Sequence, residues 1–323
     1  RGIKQINPSA LIVVGGAHAI AMQEETLLEF DGFDVACVCE GELVIHELVE
    51  SYCKKGDTKE FDKITGIIYR DRTGHLVRTG ERSPIENLDL LPFPKWDLFP
   101  SVEEYPVYGE RGCPYKCNFC MRALGSRVRK RTPAHVMSEI RWLIQERGVS
   151  SFWFDDETFG VDKRWLHELL DLMIEERVGD RLRWSANSRV NLADEEIYKK
   201  MRSAGCDRVC YGIESGDDLI LKQANKGFTT KAALEAVRKA KNAGLKVGAF
   251  YILGHPNESV LQVLRTVNFA AQINADDSSI GIMIPYPGTE IFALALRGEG
   301  GYVSVSKDWD RYTKYFGNPM EFK

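Results

Sequence analysis

Apolar positions fall along this chain in two regimes, separated by a proline-rich stretch. Ala10 to Val14 is a continuous apolar run of strand length, closed by Gly15-Gly16. A run without polar interruption suits a strand buried on both faces of a parallel sheet. Helical periodicity follows over Glu24 to Phe30. A second apolar run, Asp34 to Cys39, ends at Glu40-Gly41-Glu42, and a helix is expected from Leu43 to Cys53 with Val44, Leu48 and Val49 on one face. This β-α-β-α order predicts an open doubly wound sheet, whose strand ends bind ligands. Ile64 to Tyr69 and Leu76 to Arg78 flank Asp71-Arg72-Thr73-Gly74, a hairpin signal. Between Ser83 and Val107 stand Pro84, Pro92, Pro94, Pro100 and Pro106. Proline disfavours regular helix and sheet, so this stretch reads as a linker and a domain boundary.

Beyond the linker one unit repeats. A strand near Val107 to Glu110 is expected first. Thr132-Pro133 then starts a helix with Val136, Ile140, Leu143 and Ile144 on its apolar face, and Gly148 ends it before the strand Ser150 to Phe154. The same order recurs with a helix from Asp162 to Arg177 and a strand over Leu182 to Asn187. A helix from Asp194 to Gly205 precedes a strand over Arg208 to Ile213. A helix from Thr230 to Gly244 precedes a strand over Lys246 to Leu253, and a helix over Ser259 to Ile273 precedes a strand over Ser279 to Ile284. Six β-α units in succession predict a parallel barrel or a large part of one, with active-site chemistry at the carboxyl ends of the strands.

The expected strand ends are polar or glycine-rich. They carry Asp155-Asp156-Glu157, Asn187-Ser188-Arg189, Gly212-Ile213-Glu214-Ser215-Gly216, Gly254-His255-Pro256-Asn257-Glu258 and Pro285-Tyr286-Pro287-Gly288-Thr289-Glu290. Each also has a plain structural explanation. The three acids could cap the following helix, Glu214 could be an ordinary strand-end residue, and Arg189 could be a surface charge. Arg189 beside acids at such a rim is a candidate carboxylate fork. Cys37, Cys39, Cys206 and Cys210 read as packed thiols.

Composition narrows the class. The chain has 323 residues, a formal charge of −4 and eight cysteines. Mild acidity does not suggest nucleic acid. No stretch reaches the apolar length of a membrane span, and no secretory signal pattern is present. Reduced thiols in a chain of this size point to a cytoplasmic protein. The first residue is Arg1, within a helix-like segment, which reads as a fragment of a longer polypeptide.

The first strand end changes the picture most. It runs Arg111-Gly112-Cys113-Pro114-Tyr115-Lys116-Cys117-Asn118-Phe119-Cys120. Three thiolates at C-x3-C-x2-C are soft ligands for iron–sulfur clusters, zinc or cuprous ions. A structural zinc site closes its shell with four protein ligands, whereas three leave a position open.

This spacing resembles the cluster loop of the radical S-adenosylmethionine (radical SAM) superfamily. The resemblance covers about Tyr108 to Thr289. It implies that Cys113, Cys117 and Cys120 hold three irons of a 4Fe-4S cluster, that SAM chelates the fourth, and that SAM is cleaved to a 5′-deoxyadenosyl radical. Phe119 matches the aromatic beside the adenine. Asp155, Asp156 and Glu157 fall where the family's second-strand motif meets the SAM amino group, though in acidic form. Arg189 falls near the SAM carboxylate, Glu214 and Ser215 near ribose and methionine, and the loops holding Gly254 and Pro285 near the adenine. Val14-Gly15-Gly16-Ala17-His18 and Cys39-Glu40-Gly41-Glu42 resemble the last part of a cobalamin-binding domain, so Gly15, Gly16, His18, Glu40 and Gly41 would face that cofactor's nucleotide tail. The family's Asp-x-His-x-x-Gly signature is absent, and neither His18 nor His46 sits in it.

The expected fold class is therefore α/β, a partial (β/α)6 TIM-like barrel preceded by the C-terminal part of a doubly wound Rossmann-like cobalamin-binding domain. The expected division is 1–56 for the partial cobalamin-binding domain, 57–105 for hairpin and linker, 106–290 for the barrel and 291–323 for a C-terminal extension. In that extension Trp309, Tyr312, Tyr315 and Phe316 form an aromatic cluster that either lines a substrate or packs on the barrel. The resemblance implies a small-molecule substrate, an electron donor such as flavodoxin or ferredoxin, and methyl transfer, oxidative rearrangement or cyclisation at an unactivated carbon. The alternatives are a cobalamin-independent radical SAM enzyme, for example a methylthiolating one, or a non-enzymatic structural Fe–S or zinc protein.

Overall fold

A computed structural model of the chain describes residues 2–55, 60–313 and 319–322. It divides into two compact units. The first comprises Arg1–Glu86, Met121–Leu124 and Pro287–Thr289, and the second comprises Asn87–Cys120, Gly125–Tyr286 and Glu290–Lys323.

The first unit is built on a four-stranded sheet of β1 (Val13–Val14), β2 (Val35–Cys37), β3 (Ile67–Arg70) and β4 (Leu76–Arg78), in that spatial order. β1 and β2 are parallel; β3 joins β2 antiparallel and forms the expected hairpin with β4. The apolar run of β2 explains why both faces are covered. Val35 and Cys37 pack with Val44, Leu48, Phe61 and Ile67, while Ala36 packs with Ala19, Leu27 and Ile68. The helix Gly41–Lys55 buries Val44 and Leu48, but Val49 is 51% exposed, against expectation. At 100° per residue it stands about 140° around the helix from Val44, off the buried stripe.

The second unit holds six parallel strands, β5 (Glu104–Val107), β8 (Ser151–Phe154), β9 (Arg183–Ser188), β10 (Cys206–Glu214), β11 (Lys246–Leu253) and β12 (Asp277–Ile282). Each lies beside its successor in this series. Between β5 and β8 a short ribbon forms from β6 (Glu110–Arg111) and β7 (Arg129–Lys130). The antiparallel pair β13 (Tyr302–Val305) and β14 (Met320–Phe322) closes the order. The fold class is thus α/β with a parallel sheet.

The first strand of the sheet begins earlier than the sequence suggests and includes Pro106. β5 is an edge strand, where a missing N–H is tolerated. The helices start where the sequence supplies caps. Thr132, Asp162, Asp194, Asp217, Thr229 and Ser259 each accept a backbone N–H of the first turn. Gly148 closes the helix Pro133–Arg147 in the left-handed conformation, with φ 59°. Trp165, Leu166, Leu169, Leu170 and Met173 come from one helix face and pack with Phe152, Phe154, Trp184, Val209, Tyr211, Val247, Ala249 and Tyr251 from alternate sheet positions. Burial of this kind contributes about 2 kcal/mol for each large side chain.

Trp309 and Tyr312 stand with ring centroids 4.8 Å apart, both half-buried. Tyr315 and Phe316 lie outside the described residues. Among the described residues no helix is long and apolar enough to cross a membrane.

Candidate active site

The cysteine loop hangs from the β6–β7 ribbon, which fixes both its ends. Gly112 has φ 92°, and a Cβ there would stand 2.3 Å from the Arg127 carbonyl oxygen, so only glycine fits. The Cys113 N–H donates to Gly125 O at 3.1 Å, and the Cys120 N–H to Cys117 O at 3.3 Å. Cys113 Sγ is 3.4 Å from Thr158 Oγ1, and Cys117 Sγ accepts an Arg189 guanidinium N–H at 3.2 Å. Cys120 is open to solvent on one side, yet the surrounding protein pushes its thiol up to about 11, helped by the charges of Cys117 and Cys113. Among the described residues no three His, Cys, Asp or Glu side chains crowd around a single point as they would around one ion.

The acidic motif after β8 splits into three different environments. Phe159 turns back onto Phe154, with centroids 4.4 Å apart, and pins the loop between them. Asp155 accepts the Tyr108 hydroxyl at 2.5 Å. Asp156 is buried and accepts the N–H groups of Gly109 at 2.8 Å and Glu110 at 3.1 Å, so it braces the approach to the cysteine loop. Its Oδ2 has no partner among the described residues. Gly109 permits this approach, since a Cβ there would meet the Trp165 ring at 2.5 Å. Glu157 is exposed, and its charge acts on Cys120. Burial pushes Glu110 up to about 7 and, together with the Glu110 charge, pushes Asp156 well above the usual carboxylate range. The sequence reading passed over Glu110; a charged residue directly after a glycine at a strand end was the available signal.

Glu214 ends β10 at a register shift after Gly212, with a left-handed φ of 74°. Bulges of this kind re-aim a side chain. Gly212 makes room for it, because a Cβ there would lie 2.3 Å from Glu214 Oε1. The carboxylate pairs with Lys226 Nζ at 3.1 Å, both side chains being almost fully buried. Lys226 was not foreseen. It sits in a turn between Asn225 and Gly227, both at positive φ, and nothing in that turn's composition reveals that it folds back onto β10. Its ammonium lies 5.6 Å from the ring centroids of Phe119 and Phe228. Phe119 also meets His255 edge-on at 6.0 Å. Burial lowers His255 to about 4, so its imidazole is neutral at pH 7. Phe119, Glu214, Phe250, Ile252, Met283 and Tyr286 are among the residues lining a cleft of about 270 Å³.

Ser215 and Pro285 are buried in the protein interior, and Gly254 is half-buried. Ser215 is fully buried; its hydroxyl is 3.0 Å from Thr266 Oγ1 and accepts the Asp217 N–H, so it faces the helix Val260–Gln272 and does not line the cleft. Gly254 has φ 89° and is packed under the Phe322 ring, 2.9 Å from where its Cβ would be, with its carbonyl accepting the Tyr302 hydroxyl. Pro285 is buried between Ile284 and Tyr286, which line the cleft.

In the first unit, Gly15 packs against Cys37, Gly16 takes φ 88° ahead of the helix Ala17–Met22, and Gly41 opens the helix Gly41–Lys55. Glu40 accepts the Ile85 N–H at 2.7 Å, a tie within the unit. His18 is half-buried and edge-on to Phe30 at 6.3 Å, and burial lowers its pKa.

Residues 109–270 match the radical SAM superfamily, half of the chain. The chain belongs to that superfamily. It is 32% identical over 321 residues to an uncharacterized methyltransferase of Pyrococcus horikoshii, a match covering 96% of this chain and 68% of that protein. It is 29% identical over 300 residues to the anaerobic magnesium-protoporphyrin IX monomethyl ester cyclase of Rubrivivax gelatinosus, covering 90% of this chain and 54% of the cyclase. Among solved structures, the radical SAM methyltransferase TsrM of Kitasatospora setae, with tryptophan and a SAM analog bound, matches with a TM-score of 0.78. That match has 20% identity and covers 94% of this chain and 61% of TsrM. At that identity the likeness speaks for the fold. The chain thus spans about half to two-thirds of the length of these relatives.

Radical SAM membership makes the protein an enzyme and implies SAM and an iron–sulfur cluster. The residues present fit a cluster. Three cysteines come from one loop held at both ends by the β6–β7 ribbon, and thiolates are the ligands such clusters take. A multi-iron centre puts a separate iron under each thiolate.

Proposed function

We propose that this chain is the SAM- and cluster-binding part of a cobalamin-associated radical SAM enzyme acting on a small molecule, by methyl transfer or by oxidative rearrangement or cyclisation at an unactivated carbon. The observation that carries the reading is that Cys113, Cys117 and Cys120 share one ribbon-anchored loop whose Phe119 lines an apolar cleft. When bound, the cluster supplies the electron that cleaves SAM to a 5′-deoxyadenosyl radical.

The chain's own residues then have separate tasks. Cys113, Cys117 and Cys120 would hold the cluster, and Gly112 lets the loop fold close to its own base. Asp156 and Glu110 brace the strand end before the loop. Glu214, aimed by its bulge and neutralised by Lys226, offers carboxylate oxygens to hydroxyl or ammonium groups at the cleft, and Asp155 stands after β8, two strands away. Phe119, Phe250, Ile252 and Tyr286 exclude water, which protects a radical from quenching. The parallel sheet is read as an open partial barrel.

Cobalamin enters through the first unit. Gly15, Gly16 and Gly41 leave its parallel strand ends free of side chains, as a nucleotide tail needs. TsrM has been solved with cobalamin and a [4Fe-4S] cluster bound. The cytoplasm, where thiols stay reduced, is the expected compartment, and flavodoxin or ferredoxin is a suitable donor.

The test is anaerobic cluster reconstitution followed by SAM and dithionite, with 5′-deoxyadenosine quantified in wild type and Cys117→Ala. Product that depends on Cys117 supports the assignment. An iron-loaded wild type without product would refute it. Visible spectra during cobalamin titration of the longer polypeptide test the second cofactor.

A further inference from the structure

We propose that Arg189 is a positioning residue for the cluster loop and raises the reduction potential of the centre bound there, acting through Cys117. This rests on the reading that Cys113, Cys117 and Cys120 hold the cluster.

Arg189 lacks a carboxylate counter-charge among the described residues. Arg189 is only 7% exposed. A guanidinium buried to that degree needs an anion, because desolvating an uncompensated charge is costly. Among the described residues no carboxylate pairs with it. The other buried cation of the site, Lys226, is already neutralised by Glu214. The groups around Arg189 are instead neutral acceptors and rings, with one exception. Nε donates to Asn191 Oδ1 at 3.3 Å, one terminal nitrogen donates to the Lys226 carbonyl, and the other donates to Cys117 Sγ at 3.2 Å. The sulfur is the one partner that becomes anionic when a metal centre is bound. The site therefore holds a cation whose charge is balanced only when the loop is loaded.

The geometry also makes Arg189 a clamp. Its guanidinium carbon lies 3.8 Å from the Tyr115 ring centroid. Tyr115 is in the span between Cys113 and Cys117, so one planar group grips the loop by a ring face and by a thiol. All three nitrogens are engaged, and the group cannot swing towards a ligand without releasing the loop. This modifies the expectation that Arg189 forks a carboxylate of SAM.

The electrostatic consequence has a definite sign. Reduction adds negative charge to a thiolate-bound centre. A fixed positive charge and an N–H donor at one thiolate stabilise that added charge and make the centre easier to reduce. A charge-assisted hydrogen bond of about 1.5–3 kcal/mol corresponds to roughly a tenfold or larger change in the reduced-to-oxidised ratio at fixed potential.

The experiment compares wild type, Arg189→Gln and Arg189→Lys as full chains, reconstituted anaerobically. Iron and sulfide are measured first, then the midpoint potential by EPR-monitored titration without SAM, then SAM affinity by equilibrium dialysis. The expected result is a potential more negative in Arg189→Gln, with the reduced fraction at fixed potential lowered about tenfold. Arg189→Lys should shift less, because it keeps the charge and loses the planar fork. It carries the comparison if the glutamine variant does not hold iron. A potential unchanged in an iron-loaded variant, with SAM affinity weakened, would overturn the proposal and make Arg189 a ligand of SAM. A wild type that takes up no iron would overturn the cysteine reading itself, a distinct outcome.

Discussion

Two groups of cysteines in this chain are each close together in sequence and have different surroundings. Cys37 and Cys39 lie at the end of β2 with sulfurs 3.9 Å apart, and their thiols point at the carbonyls of Cys39, Glu40 and Gly66. Cys113, Cys117 and Cys120 lie on one loop, and Cys117 receives a cationic N–H. In the first group the thiols face backbone carbonyls and each other, as packed thiols do. In the second, a buried guanidinium N–H donates to the Cys117 sulfur. The hydrogen bond with Cys39 lowers Cys37 to about 7, so a low thiol pKa by itself does not separate the groups. The source of the donor does: a neighbouring thiol at Cys37, a buried cation at Cys117.

The largest effect that would break this contrast comes from exchanging the substitutions. Cys117→Ala should reduce iron uptake and 5′-deoxyadenosine formation to background, because two thiolates and an exposed loop cannot hold the centre. Cys37→Ala should leave the iron stoichiometry unchanged and cost about 1 kcal/mol of stability. Colorimetric iron per chain and a thermal melt decide it. Equal loss of iron in both variants would erase the distinction.

Next in size is the buried ion pair. Lys226→Met leaves the Glu214 carboxylate almost fully buried, at a left-handed backbone position and without its cation. The expected loss is about 3–5 kcal/mol, and Lys226→Met with Glu214→Gln should recover part of it. Denaturant titration of both variants measures it. A single-variant loss below that of an exposed pair would mean that Glu214 reaches solvent.

A third test uses pH. The Glu110 carboxyl titrates near 7 in the folded chain against an ordinary value of 4.5. Its proton is held more tightly when folded, so its contribution is fully present below the unfolded value and is lost as pH rises through about 7. Between those limits wild type should lose about 3 kcal/mol, and Asp156 acts in the same direction. Glu110→Gln, neutral at every pH, should flatten that part of the profile and be the more stable protein at pH 8. Melting curves at pH 5, 6, 7 and 8 check both the slope and its removal. An identical slope in the variant would assign the pH dependence elsewhere.

How far the sequence carried this picture follows from what each feature depends on. Apolar runs and caps are local, and the helices begin at Thr132, Asp162, Asp194 and Ser259 as their side chains dictate. The cysteine loop was legible for the same reason, since spacing and glycine are local. Ser215 and Glu214 are neighbours in sequence, yet a single register shift sends one to the cleft and the other into the interior. Lys226 acquires its role only when a turn brings it back to β10. Arg189 was recognised as a rim residue, but its partner sulfur lies 72 positions away, beyond any periodicity argument. Pro106 was treated as a barrier to sheet, whereas the edge position of β5 tolerates it.

The smallest effect sets the scale for the others. Arg82 and Glu47 in the first unit form an ion pair with side chains 17% and 39% exposed, so water and salt screen it. Arg82→Met should cost no more than about 1 kcal/mol, several-fold less than Lys226→Met, and should shrink further in high salt. The same substitution probes the dithiol. The charge of Arg82 contributes to lowering Cys37, behind the hydrogen bond from Cys39 and the backbone. Removing it should therefore move the pH profile of Cys37 alkylation upward by less than Cys39→Ala does, with iron uptake unchanged. Alkylation followed by peptide mass spectrometry reads both shifts. A larger shift from Arg82→Met than from Cys39→Ala would mean that a cation governs this sulfur, as Arg189 is proposed to govern Cys117, and the two cysteine groups would differ in degree and not in kind.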